Sequence, residues 1–190
     1  VRHALATGVS DIAVIGCGAL GLTSALLAQR AGLKVRIYAK DRPPYVRSSF
    51  ATGSWTPASR FCTEAAATPN IVQRWEEMAR ISYRTYQHML GLPGDPIEWR
   101  EGYQLANEPF DPNRHRVREG EPVYADLEKR LRDLTPRREE LAPATHPFAA
   151  PYVRRYTNMV FNLTAYSRLL VADFLAAGRG EVVVDAVFLN

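Results

Sequence analysis

Two cysteines in 190 residues, Cys17 and Cys62, are too few for a disulfide framework, and they form no metal-ligating set. No apolar run approaches the roughly eighteen residues that a membrane-spanning helix needs. Charge of one sign is in slight excess only. The net charge is +4, and the arginines at 114, 116 and 118, at 137 and 138, and at 154 and 155 are interleaved with acids and prolines. That pattern reads as a solvated face rather than a nucleic-acid patch. No export signal precedes the first strand, so the expectation is a cytoplasmic protein with neither membrane nor nucleic acid as partner. The chain starts at Val1 and stops at Asn190, straight after an apolar strand. A sheet should not stop there, so a fragment is expected. The 46% hydrophobic and 23% charged content is otherwise that of an ordinary globular protein.

What is present is concentrated near the start. Ile12-Ala13-Val14-Ile15 reads as a short strand, Gly16-Cys17-Gly18-Ala19-Leu20-Gly21 is G-x-G-x-x-G, and an apolar helical stretch runs to Gly32 with Ala25, Ala28 and Ala31 near one face. A second strand, residues 34–38, completes a βαβ unit of the expected length. Gly16 permits a tight turn off the strand. Gly18 lets a diphosphate approach the backbone, and Gly21 lets helix and strand pack closely. The free N–H groups and positive dipole end of the helix complete a dinucleotide cradle. Cys17, inside that loop, is read as a small apolar filler. The acid that commonly ends the second strand is missing: Ala39 stands there. Asp41, about 20 residues past the loop, is the nearest replacement for a carboxylate on the ribose, and Lys40 beside it suits a phosphate. A solvated charged turn before Pro43-Pro44 is the competing reading.

Residues 47–57 form a loop of small hydroxyl residues with Gly53 and Trp55, suited to phosphates and ring carbonyls, its Trp55-Thr56-Pro57 end reading as a wall against something flat. Residues 70–90 are a helix started by Pro69 and Asn70 with a capping box completed by Gln73, and with Val72, Trp75, Ala79, Tyr83, Tyr86 and Leu90 as its core stripe. A strand is expected at 97–107. Residues 108–149 are rich in proline, arginine and acids. They are read as an insertion or a cover holding one amphipathic helix at 124–134, with His115 and His146 on the surface. Residues 155–161 read as a strand, then a helix capped at Asn162 runs to Gly178, with Leu169, Ala172, Leu175 and Ala176 as its buried side. The Val-rich stretch 181–189 is expected beside the first two strands, covered on both faces of a parallel sheet.

The run 12–21, the turn Tyr38-Ala39-Lys40-Asp41-Arg42-Pro43, and the loop Ser48-Ser49 with Gly53-Ser54-Trp55-Thr56-Pro57 resemble the N-terminal half of D-amino-acid oxidases. So do Glu101-Gly102-Tyr103-Gln104-Leu105 and the strand–helix–strand at 156–189. The resemblance covers most of the chain apart from 108–149. It implies an α/β fold: a Rossmann-like FAD-binding domain, with a parallel sheet flanked by helices, at 1–62 and 151–190, and part of an inserted α+β substrate domain at 63–150. It implies FAD as cofactor, a D-amino acid and O2 as small-molecule partners, and oxidative deamination with release of hydrogen peroxide. A homodimer is an open alternative. By position, Gly16, Gly18, Ala19, Leu20 and Gly21 would line the diphosphate, and Lys40 and Asp41 would sit at the adenosine ribose. Ser48 and Ser49 would reach phosphate or ribityl oxygens, with Arg47 a cation nearby in place of the family's usual hydroxyl. Gly53 and Ser54 would lie by the flavin ring, and Val187 would meet the adenine. The Arg and Tyr residues that hold substrate in this family come from its C-terminal half, so no catalytic residue is assigned here. The 190 residues alone are expected to be inactive. Competing readings are a related FAD-dependent amine, glycine or D-aspartate oxidase, an NAD(P)-dependent dehydrogenase, and a non-catalytic dinucleotide-binding module. The missing acid at Ala39 and the Trp55-Thr56-Pro57 loop speak against the dehydrogenase.

Overall fold

The computed structural model describes residues 11–58, 60–110 and 120–184. The chain divides into two compact units, one of residues 1–53, 92–96 and 162–190, the other of residues 54–91 and 97–161. Residues 54–62 and 151–161, expected with the first unit, belong to the second, and residues 92–96, expected with the second, belong to the first. Residues 152–161 form a strand paired antiparallel along one edge and over 153–155 on the other.

In the first unit, β1 (Ile12–Ile15), β2 (Val35–Ala39) and β6 (Gly180–Val184) form a parallel sheet in the order β1-β2-β6. Residues 185–190 lie outside the described region, so the rest of the expected strand, Val187 included, does too. α1 (Ala19–Arg30) ends where the sequence indicates. Gly32 adopts φ +91°, its N–H donates to Gln29 O at 2.9 Å, and the Leu33 N–H donates to Ala28 O at 3.1 Å. Both bonds are those of a Schellman motif, which needs a left-handed residue at this position. α1 packs against α3 (Leu163–Ala176), and the Gln29 side chain donates to Phe174 O at 3.1 Å across that contact.

The buried residues of α1 are Leu22, Ala25, Leu26 and Gln29, spaced i, i+3, i+4, i+7, so the expected alanine row is only one edge of the true face. α3 turns the opposite way from expectation. It buries Tyr166, Ser167, Leu170 and Phe174, while Leu175 is half exposed and Ala172 and Ala176 lie in solvent. Apolar residues surround this helix on most sides, so periodicity could not choose, and the bulky Phe174 took the interior. The expectation of a sheet covered on both faces also fails within this unit. Val35, Ile37 and Ala39 are buried, but the other face carries Ile15 at 71% exposure and an ion pair between Arg36 and Glu181.

In the second unit, β3 (Ile97–Ala106), β5 (Tyr152–Phe161) and β4 (Glu139–Leu141) form an antiparallel sheet in the order β3-β5-β4. α2 (Pro69–Gln87) begins one residue earlier than the capping-box reading. Thr68, not Asn70, is its cap, accepting from the Ile71 N–H at 3.5 Å, with Pro69 in the first turn where its missing N–H costs nothing. Gln73 donates instead to Glu77 at 3.0 Å. The buried Val72, Trp75 and Ala79 pack with Leu127 and Leu131. Those leucines come from a segment expected to be an α-helix, yet only a 3-10 turn, Glu128–Leu131, forms. The Asp126 carboxylate accepts the Glu128 N–H at 3.2 Å, a local bond that competes with helical geometry. The spacing of the leucines still brings them to α2. His146, expected on the surface, is partly buried beside Phe148 with ring centroids 5.9 Å apart; His115 lies outside the described residues. Among the described residues no helix is long and apolar enough to cross a membrane.

Candidate functional site

β1 delivers the chain to Gly16, which takes φ +101° and donates its N–H to Tyr38 O at 2.7 Å. The turn is thereby tied to the end of β2. Cys17 is buried, and burial pushes its thiol pKa up while the Arg42 charge opposes the rise. It is a filler, as expected. Gly18 is the N-cap of α1 and supplies no side-chain cap. The first N–H to find a helical acceptor is that of Leu22, on Gly18 O at 2.9 Å. The N–H groups before it have no partner of that kind. One is satisfied from far along the chain: the Ala19 N–H donates to Ser48 Oγ at 3.1 Å. Leu20 stands at the mouth with its side chain 86% exposed.

The glycines divide by what surrounds them. A Cβ on Gly21 would lie 2.0 Å from Gly16 O and 3.5 Å from a Val14 methyl. Only a hydrogen lets α1 back onto the turn and β1, which is the close packing expected. A Cβ on Gly18 would lie 3.2 Å from Ser48 Oγ. A diphosphate fits this cradle on three counts: Gly18 carries no side chain, the Leu20 and Gly21 N–H groups have no helical acceptor, and the dipole end is positive.

Ser48 and Ser49 sit on a 3-10 turn, Arg47–Phe50, held by the buried Val46. Ser49 Oγ is buried with no hydrogen-bond partner among the described residues. Arg47 is exposed. Lys40 and Asp41 are exposed just past β2. The strand's alternation buries Ala39 at 6% exposure, so an acid at that position would be buried, and the first solvent-facing polar residues are the next two. Gly53 is buried with φ +71°. Ser54 belongs to the second unit and bridges Val160 there. Trp55 is not an exposed wall: it is buried, its ring 5.4 Å from that of Tyr83. The structure therefore brings Gly16, Gly18, Ala19, Leu20, Gly21 and Ser48 into one cluster, with Arg47 and Ser49 on the same 3-10 turn as Ser48; Lys40 and Asp41 stand exposed past β2, and Ser54 belongs to the other unit.

Two features escaped the sequence reading. Arg42 donates to Val182 O at 3.0 Å and projects its charge toward Cys17, so a fixed cation stands near the turn. Its place in the charged turn was the available signal. Gly102 lies under the ring of Tyr156, which a Cβ would meet at 2.6 Å. Nothing local marks that pair, because register across β3 and β5 sets it. The second unit also holds an open cavity of about 1510 Å³, walled in part by Gln104, Arg154, Tyr156 and Asn158.

A family model described as FAD dependent oxidoreductase matches residues 11–187. The chain is 28% identical over 176 residues to a D-amino-acid oxidase of Rubrobacter xylanophilus, a match covering 90% of this chain and 45% of that protein. Its fold is similar to that of iminodiacetate oxidase from Chelativorans sp. BNC1, with a TM-score of 0.57 at 17% identity, covering 91% of this chain and 46% of that one. It is also similar to glycine oxidase from Geobacillus kaustophilus, with a TM-score of 0.55 at 17% identity and coverages of 92% and 46%. The chain thus spans about half the length of the relatives it matches. Because the family match runs through both units and includes the glycine turn, the chain belongs to the FAD-dependent oxidoreductase family and FAD is its cofactor.

Proposed function

We propose that this chain is the FAD-binding part of an oxidase that deaminates a D-amino acid. The observation that carries the reading is the glycine turn, with no side chain at Gly18 and no helical acceptor for the Leu20 and Gly21 N–H groups of α1. Support for the substrate class comes from the similarity to a D-amino-acid oxidase over 90% of the chain.

In this reading the backbone at Gly16, Gly18, Leu20 and Gly21 holds the diphosphate, and Ala19 acts through the hydroxyl it engages. Lys40 and Asp41 take the ribose. Arg47, Ser48 and Ser49 supply a cation and hydroxyls to phosphate or ribityl oxygens. Gly53 and Ser54 approach the ring, and Val187 meets the adenine through its backbone. The chemistry that FAD held by these residues would supply is two-electron: removal of a hydride from the amino-acid Cα, and passage of those electrons with two protons to O2 to give hydrogen peroxide. The work of these residues is fixation and charge neutralisation. A glycine or other amine substrate is the second reading, favoured by the fold similarity to glycine and iminodiacetate oxidases.

Titrating the chain with FAD tests the first step. Saturable binding, seen as a shifted flavin spectrum, is the expected result, and a chain that stays colourless in excess FAD overturns the reading. A protein of the relatives' full length should release peroxide with D-alanine and not with L-alanine, whereas turnover of glycine alone selects the second reading. The 190-residue chain is expected to release none.

A further inference from the structure

α2 holds a stretch of chain that is not its own. The indole N–H of Trp75 donates to Pro57 O at 2.8 Å. About two turns further along the helix, the ring of Tyr83 lies 5.4 Å from that of Trp55, tilted by 35°. The main chain of Trp55 is fixed as well, its N–H donating to Met159 O of β5 at 2.9 Å. Trp55, Thr56 and Pro57 line the open cavity of the second unit, and Thr56, between the two held residues, is exposed. We infer that α2 clamps this loop, and that Trp75 and Tyr83 are positioning residues that set where this wall of the cavity stands.

The chemistry of the bond at Pro57 is selective. Proline has no N–H, so a carbonyl is all its main chain offers, and indole is a donor only. Trp75 is 3% exposed and packs in one cluster with Val72, Ala79, Leu127 and Leu131. Its ring is therefore fixed, and the donor cannot swing away from the loop. A phenylalanine would fill the same core and hold nothing outside it. Tyr83 is braced in turn. Its ring meets that of Trp99 on β3 edge-on at 6.4 Å, and Tyr86 meets Phe161 of β5 at 4.9 Å. Residues of the same two strands, among them Gln104, Tyr156 and Asn158, form another part of the cavity wall. Loop and sheet are thus held at a set separation through one helix, all within the second unit. The inference deepens the oxidase reading, which puts Gly53 and Ser54 at the flavin ring, and it rests on that reading for its kinetic readout alone.

Hydrogen exchange on the 190-residue chain tests the clamp, read at the amides of Trp55 and Thr56. Trp75→Phe keeps a ring and removes the donor. It should speed exchange at those two amides by about five- to tenfold, the share of one hydrogen bond in a local opening. Tyr83→Leu, which removes the other ring, should act in the same direction. Val72→Ala takes volume from the same core and no hydrogen bond from the loop. It should lower the melting temperature at least as far and leave the two amides unchanged. In a protein of the relatives' full length, Trp75→Phe should raise KM for D-alanine about three- to tenfold with kcat within about twofold, as loss of uniform binding does. Val72→Ala should move neither constant. Unchanged exchange in both Trp75→Phe and Tyr83→Leu, equal speeding in Val72→Ala, or an unmoved KM in Trp75→Phe overturns the inference. If the full-length parent does not oxidise D-alanine, the oxidase reading fails on its own, and the exchange rates still decide the clamp.

Discussion

α1 and α2 meet the same problem at their N-termini and solve it differently. α2 is capped locally, by Thr68 with Pro69 in the first turn. α1 starts at a glycine with no side-chain cap and takes one bond from Ser48. A helix built only for stability uses the residue next door, because the local cap costs no loop closure. A helix end that must accept a ligand cannot be filled by its neighbour. The difference separates a helix capped by its neighbour from one capped across 29 residues.

The largest effect expected from disturbing this contrast is at Gly21. A Cβ there meets a backbone oxygen at 2.0 Å, which cannot swing away. Gly21→Ala should cost about 3 kcal/mol or more, read as a lost or strongly lowered thermal transition, with FAD binding lost too. Gly102→Ala sharpens the comparison, since its obstacle is the ring of Tyr156, a side chain free to rotate. That variant should fold and cost about 1–2 kcal/mol by urea titration. Thr68→Ala removes the local cap of α2. Its bond is long, 3.5 Å, so about 0.5–1 kcal/mol is expected, with FAD affinity unchanged.

The smallest effect is electrostatic. Glu76 of α2 accepts from Arg130 and Arg80, and Asp133 accepts from Arg80; these bonds hold both carboxyls below their ordinary pKa values. A carboxylate with a lowered folded pKa stabilises fully above its unfolded value. That share is lost as pH falls through the folded one. The urea midpoint should therefore drop between pH 7 and pH 3, and Glu76→Gln should flatten the drop. Salt should weaken the effect, because Asp133 and Arg130 are exposed and the Arg80–Glu76 pair is partly so.

The βαβ unit was legible because its signals are local. A strand, three spaced glycines and the left-handed Gly32 each act within a few residues. In the α2 stripe Tyr83 and Tyr86 are only partly buried and Leu90 lies past the helix end, but its first half, Val72, Trp75 and Ala79, was legible from its spacing. α3 was not, because Leu169, Leu170, Leu175 and Phe174 offer two apolar faces and only packing chose between them. The 124–134 segment showed helical spacing, but Asp126 bonded its own backbone first. Trp55 looked like a wall from its neighbours and is interior, since Tyr83 arrives from a helix the loop sequence does not mention.

The order of residues by itself determined a tight turn after Ile15 with a helix backed onto it, because glycine alone tolerates the angle at Gly16 and the contact at Gly21. What closes on that turn was decided in three dimensions. The oxygen of Ser48 reaches Ala19 only after a strand, a turn and a helix have returned the chain to its start, and no spacing rule spans that distance. Local sterics can be read along a chain; a hydrogen bond across 29 residues exists only where folding has brought its ends together.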